Sequence, residues 1–180
     1  MGILAADMSL SVGDYRAGER TFQLLTQAAG RAGRGKRPGE VVIQTYQPEH
    51  YSIQHAAAQD YEGFYEEEIL YRGLLAYPPV AEILAVQVTA STEEGAGRLA
   101  EKMKQLVPEL PKGSFVIGPA PASIGKINDV FRYVLYIKSP DYDVLIRIKD
   151  RMERWLKERE KQFTDKAERV QFDFNPMSPF

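Results

Sequence analysis

The chain contains no cysteine, only two histidines and a single tryptophan in 180 residues. Without cysteine there is no disulfide, no thiol nucleophile and no Cys-ligated zinc, and His50 and His55 alone cannot complete a metal site. Long apolar runs are missing too. None reaches the roughly 18 residues that a membrane span needs, and Met1 to Asp7 lacks the basic start and apolar stretch of a signal peptide. A cytoplasmic protein with no membrane partner is the expectation. Nor is there an excess of charge of one sign. Lys and Arg number 23 against 25 Asp and Glu, a formal net charge of −2, so any nucleic-acid or acidic-partner site must be local. Internal repeats and low-complexity segments are absent. So are a phosphate-cradling G-x-x-x-x-G-K-[ST] loop and an acidic magnesium motif, which means that this stretch by itself is not expected to hydrolyse a nucleotide.

What is present is an ordinary globular composition, 44% hydrophobic and 27% charged, enough apolar mass for one domain or a small one plus part of another. Gly2 to Ala6 reads as a buried strand of the parallel-sheet kind. A strand placed so near Met1 is expected to belong to a larger sheet, leaving edges through which the chain would self-associate. Ala17 to Ala32 has Phe22, Leu25, Ala28 and Ala29 at helical spacing, and Glu40 to Tyr46 reads as a strand closed by Pro48. Glu49 to Leu75 is predominantly helical with a break near Gln59-Asp60, and its stripe is read as Tyr61, Phe64, Tyr65, Ile69 and Leu75. Glu68 and Arg72 fall in that stripe at i,i+4, either as a satisfied internal pair or as a solvated one. Tyr77-Pro78-Pro79 cannot continue a helix, so a domain boundary is placed there.

Beyond the prolines, strands are expected at Ile83 to Ala90, Phe115 to Ile117, Phe131 to Lys138 and Arg169 to Phe174. Helices are expected at Glu93 to Val107 and Asp141 to about Lys161. The order β-α-β-β-α-β predicts an α+β domain of the split βαβ type, two-layered, with both helices on one face of an antiparallel sheet and the other face open. On that open face the alternation puts Gln87, Thr89, Arg132, Tyr136 and Lys138, with Lys126 in the loop before them. This set suits base stacking and phosphate contact, and equally an ordinary solvated face, since Asp173 points the same way.

The most informative run is Gln27-Ala28-Ala29-Gly30-Arg31-Ala32-Gly33-Arg34-Gly35, at the C-terminal end of the first helix. Gly30 and Gly33 let the backbone approach a neighbour. Arg31 and Arg34 present two planar cations of the kind that fork onto phosphate oxygens and stabilise a transferring phosphoryl group. A basic helix end offsetting the dipole is the plain alternative. His50 and His55 read as capping or surface residues. Glu62, Glu66, Glu67 and Glu68 read as a solvated face, Arg147 to Lys161 as a salt-laced exposed helix and Trp155 as core.

Taken in order, Ala6-Asp7, Tyr15 to Thr21, Gln27 to Arg34, Pro38 to Val41, Ile43 to Tyr46, Pro48 to Tyr51, Asp60-Tyr61, Phe64-Tyr65, Glu68, Arg72, Tyr77 to Pro79 and Gly118 to Ala122 resemble the C-terminal part of the primosomal replication-restart DNA helicases, the PriA or primosomal protein N′ family. The resemblance spans nearly the whole chain and is densest from Asp7 to Pro79. It implies that residues 1–47 end the second RecA-like lobe, an α/β remnant carrying helicase motif VI. Residues 48–75 would then be a helical connector and residues 76–180 the family's C-terminal domain. By the same resemblance Gln27, Gly30 and Gly33 would lie against ATP and magnesium held by another lobe, with Arg31 and Arg34 as finger residues. Zinc would belong to a Cys-rich insertion elsewhere in the parent protein. Forked or single-stranded DNA, the acidic tail of single-stranded DNA-binding protein and other primosome proteins would be the partners, with Lys126, Arg132, Tyr136 and Lys138 as DNA contacts. The rival readings are a pure binding module for branched DNA or a partner tail, and a piece of another superfamily-two enzyme such as a fork-reversal helicase.

Overall fold

The computed structural model describes residues 1–11, 13–32, 40–159 and 167–177. The chain divides into two compact units, Met1–Leu75 and Ala76–Phe180.

In the first unit a two-residue strand β1 (Gly2–Ile3) pairs in parallel with β2 (Val42–Ile43), Gly2 opposite Val42 and Ile3 opposite Ile43. Both strands are shorter than the patterns Gly2 to Ala6 and Glu40 to Tyr46 suggest. Ala5 adopts a left-handed conformation, φ 51°, and turns the chain into a 3-10 turn at Ala6–Ser9. The Asp7 carboxylate then accepts the Tyr46 backbone N–H at 3.1 Å, which ends the pairing. The Gly2 to Ala6 run is not the buried strand expected: Gly2 is exposed, Ile3 half-buried and Leu4, just past β1, 77% exposed.

Helix α1 (Ala17–Ala32) lies against α2 (Tyr51–Ala58) and α3 (Tyr61–Leu75). Their small core is Phe22, Leu25, Ile53, Ala56 and Phe64, with the Phe22 and Phe64 rings stacked 4.1 Å apart. His50 caps α2 by accepting the Ser52 N–H, and Gln59, φ 55°, ends it in a left-handed turn. Asp60 then accepts from Gly63 N–H at 2.9 Å to start α3. The buried face of α3 is Phe64 and Glu68, while Tyr61, Tyr65 and Leu75 are exposed. That is a narrower stripe than the sequence suggests, because a charged network takes the place of apolar residues along it.

At its centre, Arg72 is 2.7 Å from Glu68 Oε1 and 2.7 Å from Glu19 Oε2 of α1, and the Tyr51 hydroxyl donates to Glu68 Oε2 at 2.6 Å. Burial, and after it the Glu68 carboxylate, hold the Tyr51 phenol well above its usual range. Gly18 makes room for this arrangement: a Cβ there would stand 2.6 Å from the Tyr51 hydroxyl and 3.0 Å from Ser52 Oγ. Glu68 with Arg72 is therefore an internal pair. Of its acidic neighbours, Glu67 is held by His55 Nε2 at 3.2 Å, and Glu62 and Glu66 are exposed.

The second unit is β3 (Glu82–Ala90), α4 (Glu93–Gln105), β4 (Phe115–Ile127), β5 (Val130–Ser139), α5 (Tyr142–Arg159) and β6 (Arg169–Phe174). Its sheet runs β4-β5-β3-β6 and is antiparallel throughout. This is the split βαβ arrangement of an α+β domain. Leu84, Val86 and Val88 of β3 and Leu135 and Ile137 of β5 meet Leu99 and Met103 of α4 and Leu145, Ile148 and Met152 of α5 in one core, most of them fully buried. Trp155 packs half-buried at its margin.

Two features depart from expectation. Strand β4 continues ten residues past Ile117 to Ile127. It ends in a two-residue turn, Asn128 φ 50° and Asp129 φ 60°, between the paired Ile127 and Val130. This is the left-handed geometry that hairpin loops of two residues require. And the sheet face away from the helices is not open: Ile83, Ala85, Gln87, Val134 and Lys138 on it are each no more than 6% exposed.

Candidate functional site

Three regions hold the residues that chemistry singles out. The first is the C-terminal end of α1. Its core-facing residues are Ala17, Gly18, Thr21, Phe22 and Leu25, so Gln27, Gly30 and Arg31 fall on the opposite, exposed stripe at i, i+3 and i+4. Leu24 shares that stripe at 59% exposure. Arg31 sits in the last turn, where its charge opposes the helix dipole. Gly33 and Arg34 lie outside the described residues. The other end of α1 is pinned by the Glu19–Arg72 contact, so the helix presents Gln27 and Arg31 from a fixed base.

The second region is the sheet face of the C-terminal unit, and here the structure separates residues that alternation grouped. Arg132 and Lys138 are both on the face away from the helices, and so is Tyr136, opposite Ala85 and Ile117. Arg132 donates to Ile124 O at 3.4 Å. With the Gln87 amide oriented oxygen-to-arginine, Arg132 Nε also donates to Gln87 at 3.2 Å, and Gln87 in turn donates to Gln171 at 3.0 Å. Arg132 is thus engaged by its own fold. Lys138 is 5% exposed, its Nζ 3.4 Å from the centre of the Tyr77 ring and 5.8 Å from that of Phe115. Burial pushes its pKa down to about 8. Lys126 belongs to β4 rather than to a loop. Its direct partner is Phe131, which puts it on the helix-side face. Its Nζ lies 4.9 Å from the Phe131 ring centre and 2.9 Å from Asp129. The four residues Lys126, Arg132, Tyr136 and Lys138 therefore do not form one exposed surface.

The third region escaped the sequence reading. Along α5, Lys149 pairs with Glu153 at 2.8 Å and Arg159 with Glu158 at 3.5 Å, as a salt-laced helix should. Arg147, Arg151 and Arg154 occupy a different stripe, at i, i+4 and i+7, all exposed and none in a salt bridge among the described residues. They line a groove of about 570 Å³ whose floor and far wall are Val144, Ile148, Pro108, Leu110 and Pro111, with Glu109 on its rim. A second hollow of about 390 Å³ shares Arg151 and Arg154 and adds Leu106, Trp155 and Glu158. Arg159 and Lys102 lie over the Trp155 ring at 4.7 and 5.9 Å. The signal available in the sequence was the heptad-like spacing of the three arginines, masked by the acidic residues interleaved with them.

Comparison with known proteins gives the frame for these regions. Residues 73–177 match the family described as primosomal protein N C-terminal domain. The replication restart protein PriA of Synechocystis is 36% identical over 99% of this chain, that of Bacillus subtilis 37% over 98%, and that of Borreliella burgdorferi 33% over 99%. This chain spans 21%, 22% and 26% of their respective lengths. In each case the matched stretch extends over nearly all of the chain and so takes in both units. The chain belongs to the primosomal protein N C-terminal domain family and corresponds to a C-terminal portion of the PriA replication restart proteins.

Proposed function

We propose that this chain is the C-terminal part of an ATP-dependent DNA helicase that restarts replication at forked DNA. In this reading α1 and the segment after it act as motif VI of the second RecA-like lobe. Residues 48–75 connect that lobe to the C-terminal unit, which contributes contacts to DNA, to single-stranded DNA-binding protein and to the other primosome proteins. The single observation that carries the reading is the exposed stripe Gln27, Gly30 and Arg31 on a helix whose other end is fixed by Glu19 and Arg72.

The chemistry follows from what such a stripe can do. A γ-phosphoryl group in transfer spreads negative charge over its oxygens, and a guanidinium fixed nearby stabilises that charge without reorganising. Arg31 and Arg34 would supply this charge, and Gln27 would orient water or phosphate beside them. ATP and magnesium would be held mainly by the first lobe of the parent protein, outside this chain. Here the arginines bind and orient, and no step needs a proton from them, since guanidinium stays charged. The 180-residue chain by itself should hydrolyse no ATP.

The test uses the full-length protein. Arg34→Ala should lower DNA-stimulated ATP turnover by about 10³-fold, the usual scale for a finger arginine, with Arg31→Ala lowering it as well. Fork affinity in the absence of nucleotide should stay near that of the unaltered protein. Near-normal ATP turnover by both variants would remove the finger role.

A further inference from the structure

At the base of α1, Glu19 is the half-buried end of a charged chain whose other members, Arg72 and Glu68, are almost wholly covered. We infer that Glu19 and Arg72 are positioning residues for ATP turnover: their contact fixes the rotation of α1 about its own axis, and with it the direction in which Arg31 and the segment after it face the nucleotide. The inference rests on the reading of α1 as motif VI and adds to it the pair that aims the arginines.

Three observations support this role. The first is what else holds the helix. Its apolar anchors are Phe22 and Leu25, and apolar burial is non-directional, so it resists separation more than it resists a small rotation. A charge-assisted hydrogen bond needs a set distance and angle, and Arg72 Nη2 donates to Glu19 Oε2 at 2.7 Å. The second is that the anchor is itself fixed. Arg72 Nε donates to Glu68 Oε1 at 2.7 Å, and the other Glu68 oxygen accepts from the Tyr51 hydroxyl of α2. The Arg72 guanidinium also lies 5.6 Å from the centre of the Tyr15 ring, just before α1 begins. All three helices of the first unit are thus tied through one guanidinium. The third is leverage. Helix α1 is unbroken from Ala17 to Ala32, so a rotation at Glu19 is carried to Arg31, about 18 Å along the axis. A side chain about 6 Å from that axis moves by about 1 Å for a rotation of about 10°. A misplacement of this size lowers a catalysed rate by up to about 10²-fold. Because Glu19 is half-buried, cutting the contact there leaves the covered Glu68–Arg72 pair in place, which separates aiming from stability.

The experiment uses the full-length parent protein, with DNA-stimulated turnover measured over a range of ATP concentrations. Glu19→Ala, checked for unchanged circular dichroism, should lower kcat by about 10- to 100-fold. KM for ATP should stay near that of the unaltered protein, since the arginines act on charge that develops in the transfer. Glu19→Gln keeps an oxygen for Arg72 at the same reach and should retain most of the turnover. Gln23→Ala removes only the surface bond that Gln23 donates to Glu19 at 3.0 Å and should turn over ATP as the unaltered protein does. On an Arg34→Ala background, Glu19→Ala should cost much less than it does alone, because both changes act through the same charge. A purely structural loss would add in full. Near-normal kcat with Glu19→Ala, an equal loss with Glu19→Gln or with Gln23→Ala, or a full additional loss on the Arg34→Ala background would overturn the proposal. Normal turnover by Glu19→Ala beside slow turnover by Arg34→Ala would remove the aiming role and leave the finger reading standing. Slow turnover by Glu19→Ala beside normal turnover by Arg31→Ala and Arg34→Ala would remove both.

Discussion

Arg132 and Arg151 lie on opposite sides of the same four-stranded unit and meet opposite fates. On the sheet face, Arg132 is tied to Gln87 and to the Ile124 carbonyl, and its neighbour Lys138 is buried beneath Tyr77. On the helix face, Arg151 and its neighbours Arg147 and Arg154 line a groove and pair with no carboxylate among the described residues. The difference is that a cation's position on a face decides little. What decides its role is whether the rest of the fold supplies an acceptor. A cation already engaged contributes to stability and is costly to redirect, whereas one without an internal acceptor is available to a ligand.

The sharpest contrast to Arg151 lies in the first unit. Arg72 joins α1 to α3 through two carboxylates at 2.7 Å. Arg72→Met leaves Glu68 buried without its cation and should cost about 3 kcal/mol or more. Urea unfolding followed by far-UV circular dichroism would register this as an early transition of the first unit. Adding Glu68→Leu to Arg72→Met should recover part of the loss, because the uncompensated buried charge is then gone.

A titration sharpens the comparison within the second unit. Burial lowers the Lys138 pKa to about 8 from the usual 10.5. Between those values the unfolded chain keeps the proton that the folded chain has released, so stability should rise with pH through that window. At neutral pH the buried ammonium is the costly form. Relative to Lys138→Met, which lacks this titration, the unaltered chain should gain stability from pH 8 to pH 10, by no more than about 3 kcal/mol. A difference between the two chains that stays constant over that range would place Lys138 in water rather than under Tyr77.

Much of this arrangement was legible in the sequence. Residues 17–32, 93–105 and 142–159 announce their helices by apolar spacing, and Phe131 to Lys138 announces its strand by strict alternation. The end of β4 was not legible, because Gly118, Pro119, Pro121 and Gly125 all read as breakers. They are tolerated here because β4 is an edge strand and its register slips twice, between Ile117 and Ala120 and between Pro121 and Lys126. Alternation also assigned Lys138 to its face correctly. It could not reveal Tyr77, sixty-one residues earlier, lying over that lysine. The α5 stripe was hidden for the converse reason. Mixed charge on a helix usually signals internal pairing, and Lys149 with Glu153 obeys this, but the residues of the Pro108 to Pro111 segment that convert the remaining arginines into a groove are distant in sequence.

One pair of variants tests this division most directly, because a single reporter serves both. Arg132→Met and Arg151→Met make the same chemical change in the same unit, and Trp155 fluorescence follows the urea unfolding of each. Arg132→Met should lower stability by about 1–3 kcal/mol, the scale of hydrogen bonds made by a charged group. Arg151→Met should stay within about 0.5 kcal/mol of the unaltered chain, as exposed substitutions do. Equal losses, or a larger loss at Arg151, would contradict the view that an internal acceptor separates the structural cations of this fold from those left for a partner.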